Sequence, residues 1–597
     1  MFGFHGGYLR VDAGEGKASR VAVPEAIYRQ FLGGVGFGAW VLMQESRAGF
    51  DPLSSEAPLV FSFSPLVGTP LTTSAKFAVV AKSPLTQRIC DALSSSHFAL
   101  AGKKTGADAI VLTGQSIDLA LLVVDDGKVE KLSAEAWRGV SARETGEEVQ
   151  KKLGPDFQVA AIGPAGENGV LFANLSHEKR HAGRGGLGAV LGAKRIKALA
   201  VRGSQRVDIF DSPGVVEKAR ALSQRSFGPA TAKYRELGTL ANLPVFNRLN
   251  ILPSKNFQQG SFLPDSGWDL EDGSKLRKAA RHSCAACTIG CEHLYEGKAG
   301  QVRVEYESMF ALGSLVGIED PQETVELVHL CDALGLDTIS SGGTIAFAME
   351  CVEKGWLDEP WLTWGNSRAI EKALKQIVSG EGVGKILRRG TRLAAEVIGH
   401  GAREIAPQVK GLELPGYEPR GLQSMALGLA VSTRGADHNR SGAYEADFSP
   451  SVDRFHGDER SAFAAVESEN RAAWIDSLIL CKFLRGVFTD FYEETAELVR
   501  LVTGWDFTAM EAETLSRRVV NLKKQFNIRE GWTRDEDTLP PRFLQEPLPL
   551  AGGGSANLPA ERLEKMIAAY YHHRGWTTEG QIPSGELTAL GLDPILQ

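Results

Sequence analysis

The chain has 597 residues, 43% of them hydrophobic, and 66 Lys and Arg against 73 Asp and Glu give a net charge of −7. That length holds material for about four domains, and a mild acidity spread without long runs offers no electrostatic case for nucleic acid or an anionic membrane. No apolar run approaches the roughly 20 residues of a membrane span, the N-terminus lacks the basic and apolar regions of a secretory leader, and seven scattered cysteines do not form a disulfide framework. The expected compartment is a reducing cytoplasm.

Residues 1 to about 205 read as β-rich. Tyr8-Leu9-Arg10-Val11-Asp12 and Lys76-Phe77-Ala78-Val79-Val80-Ala81 alternate, and Ala109-Ile110-Val111-Leu112 and Leu119-Ala120-Leu121-Leu122-Val123-Val124 are short apolar runs closed by turn residues. Gly33-Gly34-Val35-Gly36-Phe37-Gly38 has neither dinucleotide nor P-loop spacing and reads as a turn with helix packing. The stretch from His181 to Gly192 is richer. Gly183, Gly185, Gly186 and Gly188 beside Arg180 and Arg184 suit either an anion cradle or a close helix-to-strand contact, with a strand at Ala198-Leu199-Ala200-Val201.

From about 206 to 555 the pattern is helical. Asp320 as N-cap, Pro321 at the first helical position and Gly335 past the end predict one helix with Val325, Val328 and Leu330 on its apolar face. Others are predicted over 338–353, 368–378, 461–481 and 492–501, and near the end over 560–573. Pro407 to Pro419 is a Pro/Gly-rich crossing, and a domain boundary is placed near it. The fold class expected is α+β: a β-rich base domain over 1–205, then helical domains over 206–412 and 413–597.

The most informative stretch is Cys284-x-x-Cys287-x-x-x-Cys291. Three thiols on one Gly-containing loop can hold an iron–sulfur cluster if a fourth comes from elsewhere. Zinc with His282 or His293, or no metal, remains open. Asp332-Ala333-Leu334-Gly335-Leu336-Asp337 and Asp476-Ser477-Leu478-Ile479-Leu480-Cys481 share Asp first and Leu fifth, which nominates Cys481 as the fourth thiolate over Cys90, Cys331 and Cys351. Asp337 is placed to cap a helix or to accept paired N–H donors from an aminopyrimidine ring. Glu305-Tyr306-Glu307 and Ser432-Thr433-Arg434-Gly435-Ala436-Asp437-His438 could move protons, or be ordinary surface and capping residues. Glu326 and His329, on one helix face, make a metal pair or a solvated face.

With these pieces assembled, the chain resembles the tungsten-dependent aldehyde:ferredoxin oxidoreductase family over nearly its whole length. The likeness lies in Gly7-Tyr8-Leu9-Arg10-Val11-Asp12, Phe31-Leu32-Gly33-Gly34, Gly68-Thr69-Pro70, Lys82-Ser83-Pro84-Leu85-Thr86, the glycine stretch, the cysteine loop and both Asp hexapeptides, as well as Arg434-Gly435-Ala436-Asp437-His438 and Phe526-Asn527-Ile528-Arg529-Glu530-Gly531. The resemblance implies a β base carrying two pyranopterins that chelate one tungsten, a Mg2+ ion linking their phosphates, and a [4Fe–4S] cluster on Cys284, Cys287, Cys291 and Cys481. It puts Arg180, His181, Gly183 and Arg184 near pterin phosphates, Asp332, Asp337, Asp476 and Leu480 near pterin rings, and Glu307 and His438 near the metal. Glu326 matches a carboxylate that in some members helps bind iron at a dimer axis, but the residues for that iron are incomplete here.

Three departures accompany the likeness. Lys76 stands between cluster and pterin where Arg is common, keeping the charge without the planar fork. Asp91 to Phe98, with Leu93 and Ser95, replaces an Asn- and Gly-rich pterin loop. Ile479 replaces the Gly of the second hexapeptide. The implied reaction is aldehyde oxidation to a carboxylic acid, with electrons passing to ferredoxin or a ferredoxin-like subunit of a hetero-oligomer, or from a homodimer. An aromatic acyl-thioester-reducing subunit and a non-catalytic electron relay are the alternatives. Tungsten and molybdenum share the same dithiolene ligands and are not distinguished.

Overall fold

The computed structural model describes residues 1–262 and 276–593. Two mixed six-stranded sheets form the N-terminal third. The first runs through Lys17–Ala22, Gly7–Asp12, Ala109–Thr113, Leu59–Ser62, Lys76–Lys82 and Ile89–Ser95. The second runs through Arg180–Ala182, Leu175–His177, Gln158–Ala161, Ile196–Arg202, Ala120–Asp125 and Lys128–Ser133. Each has one parallel pair, Gly7–Asp12 with Ala109–Thr113 and Ile196–Arg202 with Ala120–Asp125, and is otherwise antiparallel. Their facing sides share one apolar core, with Val11, Phe61, Phe77 and Val79 against Leu122, Ala160, Leu199 and Val201. Side chains buried on both faces explain why these strands read as nearly continuous apolar runs. The outer strands Ile89–Ser95 and Arg180–Ala182 carry Leu93, Ser95, Arg180 and His181 to the rim where the helical part packs.

The predicted helices are present, with caps at the anticipated ends. Pro321–Leu334 starts on Asp320 and stops at left-handed Gly335; its buried face is Val325, Leu327, Val328 and Cys331, with Leu330 half-buried at the edge. Thr338–Glu353, Ser367–Ser379, Phe491–Thr503 and Ala560–Arg574 follow the predicted spans closely. The glycine run at 33–38 opens the buried helix Gly34–Glu45, and Gly34 lies so close to Asp476 that an added Cβ would sit 2.3 Å from its carbonyl oxygen.

Two expectations change. The helix predicted over 461–481 is Glu459–Leu478, because Ile479 turns left-handed and releases Leu480 and Cys481 from helical geometry. The stretch from 206 onward is not purely helical. A three-stranded antiparallel sheet, Lys278–His282, Glu292–Gly297 and Gly300–Arg303, holds the cysteine loop.

Candidate active site

Strands Lys278–His282 and Glu292–Gly297 pair antiparallel and project residues 283–291 between them. The loop is pinned to the base by two adjacent residues, Thr72 and Thr73. The Thr73 N–H donates to Ala286 O at 2.5 Å, and Thr73 Oγ1 accepts the Cys481 N–H at 3.0 Å. Thr72 Oγ1 accepts the Thr288 N–H at 3.0 Å. The three loop cysteines and Cys481 therefore face one another, and burial with the neighbouring thiols pushes Cys287 up to about 11 and Cys291 higher still. Binding metal must displace those protons. Lys76 lies among the thiols: burial lowers its pKa, but Cys481, Cys284 and Asp476 outweigh that and raise it. Among the described residues no three His, Cys, Asp or Glu side chains converge as closely as a single metal ion requires. A four-thiolate set of this kind is the donor set of an iron–sulfur cluster and of a structural zinc alike.

The two hexapeptides have the same backbone form. Gly335 (φ 79°, ψ 38°) and Ile479 (φ 66°, ψ 34°) both end a helix in the left-handed region. In both, the following leucine N–H returns to a carbonyl five residues back, Leu336 to Cys331 and Leu480 to Ile475, each at 3.0 Å. This double closure of a helix end satisfies its last carbonyls. The carboxylates differ in their surroundings. Asp337 caps Thr338–Glu353 through the Ile339 N–H at 3.2 Å and accepts from Ser340 Oγ at 2.8 Å. Asp332 pairs with His181 Nε2 at 3.2 Å. Asp476 pairs with Arg440 at 3.0 Å and Lys482 at 3.2 Å. Arg440 in turn meets Asp91, whose other oxygen is 2.6 Å from Lys523. Charges thus alternate Lys523, Asp91, Arg440, Asp476, Lys482 through the protein interior. Burial alone would raise Asp91, yet Arg440 and Lys523 hold it well below the usual carboxylate range.

A cavity of about 370 Å³ opens between the base and these elements. Its wall carries Lys76, Arg180, Arg184, Arg303, Arg434, Arg440 and Lys482 against three carboxylates, Glu305, Asp437 and Asp476. Leu93, Ser95, His181, Gly183, Leu480 and the thiols of Cys284, Cys291 and Cys481 complete the expected set on that wall. Asp332 and Asp337 stand behind His181 and Arg184, off the wall, and Cys287 faces the other thiols. The buried Nε atoms of Arg303 and Arg434 have no hydrogen-bond partner, so the excess positive charge is matched by donors that an anionic group would satisfy.

The glycine stretch divides its labour. A Cβ on Gly183 would meet nothing nearer than 4.0 Å, whereas one on Gly185 would lie 2.2 Å from Cys90 Sγ and one on Gly188 2.0 Å from Asn174 O. Only Gly183 faces the cavity; the rest permit close packing. Arg184 is also less free than a cradle requires. It donates to Ala436 O at 2.7 Å and to Glu413 O, and Asp337 lies 3.4 Å away. Arg180 pairs with Glu292.

A second cavity, of about 360 Å³, adjoins the first through Thr239, Glu305, Asn439 and Phe483. Glu307 and His438 lie on its wall with Nε2 and Oε1 3.5 Å apart. Glu307 sits in the first turn of Tyr306–Leu312, and its Oε2 accepts the Gly416 N–H at 3.0 Å. Its Oε1 is buried without a partner, and burial pushes its pKa up to about 7. His438 begins His438–Ser441, capped by Asp437. Its ring stacks on Tyr417 at 5.0 Å, Asn439 Nδ2 is 2.9 Å from Nε2, and Nδ1 is buried without a partner. Burial lowers this imidazole to about 3, with Arg184 and Lys482 reinforcing the effect and Asp437 opposing it. Near neutrality the pair is thus an acid poised to titrate beside a neutral ring.

Glu326 accepts from the Lys298 N–H at 2.7 Å. Sequence reasoning missed Gly416 and Tyr417, which seat the acid and the ring, and the cations Arg303, Arg440 and Lys482. Their signal was only proximity to motifs already noticed, as with Arg440 two residues beyond His438.

A base of two sheets, with a cation-walled cavity between four thiols and a buried acid–imidazole pair, is an arrangement that fits a redox protein with a large anionic cofactor. The comparisons place it more narrowly. Residues 8–203 match the N-terminal-domain model, and 215–592 the model of domains 2 and 3, of aldehyde ferredoxin oxidoreductase, and the chain belongs to that family. It is 35% identical to the tungsten-containing aldehyde ferredoxin oxidoreductase of Pyrococcus furiosus over 99% of both chains. It is 34% identical to the enzyme of the same name from Thermococcus kodakarensis over 100% of both. The active-site complex BamBC of benzoyl coenzyme A reductase, solved with 1,5-dienoyl-CoA, shares the fold at a TM-score of 0.84 and 23% identity, over 100% of this chain and 98% of that one. No described helix is long and apolar enough to cross a membrane.

Proposed function

We propose that the protein oxidises aldehydes, RCHO and water giving RCOOH, two electrons and two protons. The cationic cavity would hold a tungsten bis-pyranopterin, and Cys284, Cys287, Cys291 and Cys481 a [4Fe–4S] cluster that passes electrons to ferredoxin or a ferredoxin-like subunit. When bound, the tungsten and its pterins supply the two-electron redox chemistry. A Mg2+ would help neutralise the cofactor's phosphates; the cavity-wall carboxylates Asp437 and Asp476 are engaged by Arg434 and Arg440.

The observation that carries the reading is the Glu307–His438 pair, buried in the wall of the second cavity next to Asn439, which both cavities share. Ionised Glu307 removes a proton from the water that adds to the carbonyl carbon; the aldehyde hydrogen leaves as the second proton once its electron pair has been taken up. His438, neutral across the working range, orients the carbonyl oxygen through its N–H rather than acting as an imidazolium acid. Tyr306 and Tyr417 exclude water around the pair. The test is anaerobic purification with metal analysis and aldehyde-dependent reduction of ferredoxin. About one tungsten and about four iron per chain are expected, and Glu307→Gln should lower turnover by about 10²- to 10⁴-fold at unchanged metal content. Zinc without tungsten or molybdenum, or full turnover in the variant, would refute the reading.

A further inference from the structure

About half of the residues lining the second cavity carry rings, and most of these rings touch one another in series. Phe246 makes edge contacts with Tyr306 at 5.1 Å and Tyr417 at 5.4 Å and stacks with Phe448 at 5.7 Å. Tyr417 meets Tyr444 at 5.1 Å as well as His438. The series runs from the buried acid to solvent, where Phe448 is 43% exposed. Phe448 keeps one face on Phe246 and presents the rest of its ring to the mouth of the cavity, where an entering apolar group would cover it.

The polar groups on the outer wall are fewer. Lys233 donates to Asn242 Oδ1 at 2.7 Å, and these two residues satisfy one another. Among the described residues lining the cavity, Lys233 is the only Lys or Arg, so no cluster of cations waits for a phosphate or sulfate group. Glu305 and Glu307 would repel one.

We infer that this cavity selects aldehydes carrying a planar, uncharged ring on or next to the carbonyl carbon, over short aliphatic and phosphorylated aldehydes. The inference rests on the proposed aldehyde oxidation and deepens it. Aromatic rings accept another ring in offset or edge-on contact beyond simple area burial. A cavity of about 360 Å³ has room for one such ring with its aldehyde group reaching Glu307 and His438. A methyl group would leave most of those faces uncovered.

The experiment compares kcat/KM of the tungsten-loaded protein for phenylacetaldehyde and benzaldehyde with that for acetaldehyde and glyceraldehyde 3-phosphate. The ring-bearing substrates should be preferred about ten- to hundredfold. In Phe448→Ala the ratio of kcat/KM for phenylacetaldehyde to that for acetaldehyde should fall about three- to tenfold, through KM rather than kcat. Phe246→Leu should lower it further, and if that variant does not fold, the exposed Phe448 still decides. Independently of turnover, phenylacetate should quench the protein's aromatic fluorescence at a concentration at least about tenfold lower than acetate requires. Equal or inverted preference, or an unchanged ratio in Phe448→Ala, would overturn the inference while leaving aldehyde oxidation standing. Failure to oxidise any of the four aldehydes would instead overturn the proposed function, and the inference with it.

Discussion

Glu307→Gln separates what the buried acid does for chemistry from what it does to stability. An acid whose folded pKa is raised destabilises the fold when ionised. The penalty is negligible below its unfolded value, grows above 4.5 and levels off above about 7. At about 1.4 kcal/mol for each tenfold change in proton affinity, it is about 1 kcal/mol at pH 5 and about 3 kcal/mol at pH 8. Glutamine keeps the acceptor for the Gly416 N–H and carries no charge. The variant should therefore gain stability over the parent, by about 2 kcal/mol more at pH 8 than at pH 5, while losing turnover. Paired denaturant titrations at the two pH values measure this, read as the shift in midpoint between the chains rather than an absolute free energy, since a protein of this size need not unfold in two states. The acidic limb of kcat/KM in the parent should likewise show a single ionisation near 7 and none from His438. An equal stability difference at both pH values would mean that Glu307 is not held protonated by its surroundings, and the reasoning would fail.

Further predictions follow from the buried charges and the cluster loop. Asp91→Asn leaves Arg440 and Lys523 with one buried charge uncompensated and should destabilise the protein by about 3–5 kcal/mol, visible as a lowered denaturant midpoint. Cys481→Ser should reduce iron content and remove the cluster's spectroscopic signature even though Cys284, Cys287 and Cys291 remain. Ile479→Gly relieves about 1–2 kcal/mol of left-handed strain but removes a fully buried side chain worth about 2–4 kcal/mol, so a net loss of about 2 kcal/mol is expected. A stabilised variant would show that strain is the larger effect.

Legibility in the sequence followed the range of the forces involved. Helix ends are set within a few residues, so Asp320-Pro321 and Gly335 announced a helix that is present with those caps. Strands buried on both faces announced themselves as apolar runs. Ile479 broke the same rule: a left-handed helix end is unfavourable for a β-branched residue, and its side chain is fully buried beside Gly34. The alternating charges around Asp476 were invisible because Asp91 and Arg440 are 349 positions apart and neither stands in a recognisable pattern. Arg184 was noticed for the right neighbourhood, but its guanidinium is held largely by carbonyls of Glu413 and Ala436, a choice that only the folded crossing segment makes.

Thr73 holds both the loop carrying Cys284, Cys287 and Cys291 and the backbone of Cys481, and this orders events during synthesis. Cys481 follows Cys291 by 190 positions, about ten to forty seconds of ribosomal elongation. Throughout that interval three thiols wait beside an unfinished cavity whose far wall, residues 434–483, does not yet exist. An oxygen-sensitive metal unit delivered then would be exposed on one side. All four thiols and both walls of the cavity are present together only once residues 434–483 have been made and folded onto the base.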